Sequence, residues 1–170
     1  KILLFGDPQP RNNKEVDYIS HDVVEELIGD ESAFGVTLGD IAFDNLSTFK
    51  TLNQSIALIG IPWYNVIGNH DINLDAKSRT EINETFEETY GPSYYSFDYG
   101  QVHFVVLDNI DWASPSEKNP RYRYEPRFGK QQLEFLKKDL SLIPKSQMLV
   151  LLMHVPIISV KDKSDFFELI

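Results

Sequence analysis

The chain has 170 residues, 42% of them hydrophobic, and a formal net charge of −10. That length fits one domain, residues 1–170, with a sizeable core, and the acidic balance disfavours a protein that grips a nucleic-acid backbone. With no cysteine there is neither a disulfide framework nor a thiolate metal site, so any metal falls to His, Asp, Asn or Gln side chains. No apolar run approaches the roughly 20 residues of a membrane span; the longest, residues 148–153, has the length of a strand. Lys1 leads straight into Ile-Leu-Leu-Phe without an initiator Met, which reads as the start of a fragment or a processed form.

Residues 2–5 read as a buried strand ending at Gly6-Asp7-Pro8-Gln9, where Pro8 pushes Asp7 toward an extended backbone. Val16, Ile19, Val23 and Leu27 recur at helical spacing, with Gly29 as the stop. Residues 34–38 form a second strand, ending at Gly39-Asp40, and Leu46, Phe49, Leu52 and Ile56 mark a second helix with Asp44 or Asn45 as its cap. A third strand, residues 63–67, stops at Gly68 and is followed at once by Asn69, His70 and Asp71. Residues 80–90 read as a polar surface helix, and residues 94–99 and 102–107 flank Gly100-Gln101 as a β-hairpin. Residues 111–128 show no period and read as a long surface loop, a kind that is often functional. A helix carrying Leu133, Leu136, Leu140 and Ile143 ends at Pro144, a strand over 148–153 runs into His154, and residues 165–170 begin another helix. Strands alternating with helices predict a largely parallel α/β sheet.

If these strands are parallel, Asp7, Gln9, Asp40, Asn69, His70 and His154 all stand at the carboxyl edge of one sheet, where open α/β folds bind ligands. Singly each residue has a structural explanation: Asp7 as a turn residue, Asp40 as a cap, Asn69-His70 as a tight turn, His154 as a satisfied core histidine. Ligand-type side chains at four strand ends favour a metal site. Two divalent cations there would be only half neutralised by Asp7 and Asp40, leaving charge to attract a phosphate and acidify a water.

The order Asp7-x-Gln9, Gly39-Asp40, Gly68-Asn69-His70-Asp71 and His154 resembles the calcineurin-like metallophosphoesterases over nearly the whole chain. The resemblance implies a four-layer α/β/β/α sandwich and a phosphate ester hydrolysed by a metal-bridging hydroxide. Asp7 and Gln9 would bind the first of two divalent ions, Asp40 would bridge both, and Asn69 and His154 would bind the second. His70 would protonate the leaving oxygen and Asp71 would hold its imidazole. Many members carry His where this chain has Gln9, a harder ligand that favours Mn²⁺, Mg²⁺ or Fe over Zn²⁺. Nothing after His154 matches the family's closing Gly-His-x-His, which implies that the last metal-binding strand lies beyond Ile170 and that these residues alone would hold metals weakly.

Arg121, Arg123 and Arg127, interleaved with Tyr122 and Tyr124, could grip a substrate phosphate or stand on a solvated loop. His103 reads as packing, His21 as a surface contact, and Asp44 as a helix cap ahead of a site support. The partner implied is a small phosphorylated substrate. The rival readings are a nucleotide or nucleic-acid phosphodiesterase, and a binding module that kept the fold without the chemistry.

Overall fold

The computed structural model describes residues 1–113 and 124–170. Strands β1 (Leu3–Phe5), β2 (Gly35–Leu38) and β3 (Trp63–Val66) lie parallel in that order. The first crossover runs through α1 (Asn13–Ile19), a π-helical stretch Ser20–Val24 and α2 (Glu25–Leu27). Asn12 caps it, its side chain accepting the Glu15 N–H at 3.2 Å. The second crossover is α3 (Thr48–Ile56), where Ser47 rather than Asp44 or Asn45 holds the cap position, and the Asn45 carbonyl accepts from Thr48. Val16, Val24, Phe49, Leu52 and Ile56 cover the outer face of this sheet. Helix α4 (Glu84–Tyr90), shorter than expected, buries Phe86 against Phe49 and Tyr90.

The second sheet takes β4 (Tyr95–Tyr99), β5 (Val102–Val106) and β8 (Met148–Leu152), with β4 and β5 the predicted antiparallel hairpin and β8 parallel to β5. His154 therefore does not extend from the sheet that carries Asp7, Asp40 and Asn69, as the single-sheet expectation had it. The reason is burial on both faces. Val150 and Leu152 of β8 join Phe104 and Val106 against Phe34, Val36 and Val66 of the first sheet. Leu149 and Leu151 pack with α5 (Lys130–Leu140) and α6 (Lys163–Phe167) on the other side. A strand apolar on both faces reads as a continuous run and does not reveal which sheet it joins. The layers are helix, sheet, sheet, helix, closed in the middle by Phe34 set edge-on to Tyr64, Phe97 and Phe104.

The stretch expected as a period-free loop begins and ends as an antiparallel ribbon, β6 (Ile110–Trp112) against β7 (Tyr124–Pro126). Its Arg121, Tyr122 and Arg123 lie outside the described residues. Among the described residues no helix is long and apolar enough to cross a membrane.

His103 is 5% exposed and joins β5 to two carboxylates, Nδ1 to Asp98 and Nε2 to Asp139, both at 2.8 Å. Burial alone would lower its pKa, but the bonds to Asp139 and Asp98 raise it above the ordinary value. A raised histidine stabilises the fold fully below the unfolded value of about 6.5 and loses that contribution as pH rises through the folded one. The melting temperature is therefore expected to fall as pH is raised from about 6 through the upper titration. His103→Gln should flatten that slope, which thermal melts across pH would read.

Candidate metal centre

Asp7, Asp40 and His154 converge: each offers one ligand atom, and these atoms lie within 4.8 Å of one another. Asp7 follows β1, Asp40 follows β2, and His154 comes across from the facing sheet after β8. Asp40 is 4% exposed and is crowded by donors. The Gln9 amide reaches Oδ2 at 2.5 Å, the His70 N–H reaches Oδ1 at 3.0 Å, and His154 Nε2 stands 3.3 Å from Oδ1. Burial pushes the Asp40 carboxyl up, but the His154 imidazole and the His70 N–H hold it below its ordinary value. His154 donates Nδ1–H to the Leu38 carbonyl at 2.9 Å, which turns Nε2 toward the carboxylates.

Among the described residues, four that are not glycine have positive φ: Asp7 at 49°, Gln9 at 45°, Asp40 at 50° and Asp44 at 61°. All four stand at the carboxyl ends of β1 and β2. A left-handed backbone is unfavourable for such side chains and persists where the surroundings over-determine it, as at binding sites. Asp7 departs from the extended conformation that Pro8 favours. Two glycines make the close approach possible. A Cβ on Gly68 would overlap the Asp40 backbone and carboxylate, and one on Gly39 would overlap the His154 ring.

Asn69 sits between Gly68, which abuts Asp40, and His70, whose N–H bonds it. The His70 imidazole goes elsewhere than expected. Its Nδ1 meets Asp44 Oδ1 at 2.7 Å, and its ring stacks on Phe43 at 4.3 Å. Asp71, expected to hold that ring, points inward: it is fully buried and accepts the N–H groups of Ala42 at 2.9 Å and Gly68 at 2.8 Å. Burial pushes its carboxyl up to about 7 against those bonds. By accepting from both loops the Asp71 carboxylate ties them together, and Asp44 supports the imidazole.

Arg127 is not brought to the cluster. It stands 3.3 Å from Glu125 and lines, with Arg79, Asn83, Asp108 and Gln132, a cavity of about 310 Å³ that none of Asp7, Asp40, His70 and His154 borders.

A model of the calcineurin-like phosphoesterases matches residues 1–168. The chain belongs to that family. Among the calcineurin-like phosphoesterases, it is similar to the human serine/threonine-protein phosphatase CPPED1, 31% identical over 114 residues, a match covering 63% of this chain and 32% of that protein. The Pongo abelii counterpart is 30% identical over 111 residues, with the same coverage. The aligned part is thus about a third of the length of these curated relatives. A solved dimetal phosphatase from Danio rerio superposes with a TM-score of 0.70 at 16% identity, covering 99% of this chain and 76% of that one. A phosphopantetheinyl hydrolase from Mycobacterium tuberculosis does so at 0.52 and 15%, covering 92% and 68%. These likenesses establish the calcineurin-like fold.

The sequence favoured Asp44 as a helix cap over a site support and did not single out Phe43, which stacks on His70. A signal existed for Asp44: it lies four residues past Asp40 in the same strand-end loop. Phe43 carried none, because an aromatic in a loop reads equally as core.

Proposed function

We propose that the chain hydrolyses a phosphate ester with two divalent metal ions, one at Asp7, Gln9 and Asp40 and the other at Asp40, Asn69 and His154. The observation that carries the reading is the Asp7–Asp40–His154 cluster, whose ligand atoms lie within 4.8 Å of one another, with Asp7 and Asp40 on a left-handed backbone. The donors fit such ions. Two carboxylates, an imidazole nitrogen and amide oxygens suit Mn²⁺, Fe, Mg²⁺ or Zn²⁺. The Gln9 amide presents its nitrogen to Asp40 without a metal, and half a turn of the amide group brings its oxygen to the same place.

Bound ions would supply Lewis acidity, neutralising phosphoryl charge and acidifying water. The rest falls to side chains of this chain. His70 has Nδ1 engaged by Asp44, so Nε2 is the nitrogen left to deliver a proton to the departing oxygen. Phe43 covers one face of the ring and fixes its plane. Asp71 keeps the Gly68 and Ala42 loops in register, and so keeps Asn69 beside Asp40. The name of the curated relatives supports a phosphoserine or phosphothreonine ester as substrate.

The test uses the protein at its full natural length, stripped of metal and reloaded with Mn²⁺. Turnover of p-nitrophenyl phosphate or its bis-ester should appear only with metal. Absence of metal-dependent turnover on both would contradict the reading.

A further inference from the structure

Arg11 has no part in the chemistry above, yet it stands beside it. Its guanidinium carbon lies 4.5 Å from the centroid of the Phe43 ring. His70 occupies a face of that ring at 4.3 Å and 17°. One face has no room for both groups at such spacings, so they stack in the order Arg11, Phe43, His70. The backbone beneath is tied down. Gln9 N–H donates to the Asp40 carbonyl at 3.0 Å, Phe43 N–H to the Pro10 carbonyl at 3.2 Å, and the Asn45 amide to the Arg11 carbonyl at 2.9 Å. Glu15 uses one oxygen on the Arg11 backbone N–H, and its other stays 3.9 Å from a guanidinium that is 63% exposed. A cation with donors to spare is thus held in place beside the general acid, in a chain of net charge −10.

We propose that Arg11 is a specificity-determining residue that binds a second negative charge on the leaving group, so that the substrate is a phosphoserine or phosphothreonine peptide with an acidic residue beside the phosphorylated one. The inference rests on the phosphoesterase reading, in which His70 faces the leaving oxygen. Whatever that oxygen is attached to passes the rim of Phe43 and meets the guanidinium. The planar donor fork of arginine matches a carboxylate with two parallel hydrogen bonds, and stacking on Phe43 presets its orientation.

The test compares kcat/KM of the Mn²⁺-loaded, full-length protein on two phosphoserine peptides that differ only in carrying Asp or Asn next to the phosphoserine. The Asp peptide should be favoured by roughly three- to fivefold, the range of an exposed ion pair. The preference should sit in KM rather than kcat and shrink as salt is raised. Arg11→Gln should bring the ratio to near one, Arg11→Glu should invert it, and Arg11→Lys should keep part of it. A wild-type ratio of one, or a ratio unchanged in Arg11→Gln while turnover stays metal-dependent, overturns this inference alone. No metal-dependent turnover of either peptide by the wild type overturns the phosphoesterase reading and this inference with it.

Discussion

Replacing His70 by Asn is expected to lower kcat on a phosphoserine peptide about 10²–10⁴-fold, the range for a lost general acid. The loss should be far smaller on p-nitrophenyl phosphate, whose leaving group departs without a proton. Asp44→Asn should shift activity in the same direction by less, because Asp44 bonds His70 Nδ1 at 2.7 Å and sets which nitrogen faces the substrate. Asp71→Asn separates the two carboxylates. It replaces an acceptor of two loop N–H groups by an amide with one oxygen. Its first effect should therefore be on stability, about 1–3 kcal/mol for an unsatisfied buried group, read by denaturant melts. A kcat loss confined to Asp71→Asn, with Asp44→Asn inert and the fold intact, would return the imidazole-holding role to Asp71.

Asp40→Asn is expected to weaken divalent-metal binding by on the order of a hundredfold or more, since affinity follows the charge count of the ligand set. It removes the one carboxylate that Gln9, His70 and His154 all face. Metal affinity should also depend on pH in a definite direction. Burial pulls the His154 pKa down, but Asp40 and the Leu38 carbonyl, with Asp7 beyond, carry it up to about 9. At neutral pH the metal-free imidazole is protonated, and since Nδ1 is held by Leu38, the proton a metal must displace is the one on Nε2. Affinity should therefore rise about tenfold per pH unit up to about pH 9.

The strand-end motifs were legible because each is local. Gly39-Asp40 and Gly68-Asn69-His70-Asp71 each combine a glycine that permits close approach with the side chain that uses the space. The pairing of His70 with Asp44 was not legible. Asp71 is adjacent in sequence and Asp44 is 26 residues away, and only the inward turn of Asp71 toward the Ala42 and Gly68 amides decides between them. The sheet that β8 joins was hidden by its apolar residues on both faces. The β6–β7 ribbon escaped because its two short strands pair across a stretch with no hydrophobic period to mark them. Arg11 escaped because its meaning comes from a ring on another loop.

The most direct test of the Asp40-centred metal site is calorimetric titration of the metal-free, full-length protein with Mn²⁺ at pH 7, run in two buffers of different ionisation heat, for wild type and Asp40→Asn. Saturable binding by the wild type with proton release, weakened on the order of a hundredfold in Asp40→Asn, is the predicted result. Equal affinity in the two proteins, or no binding by the wild type, would contradict it.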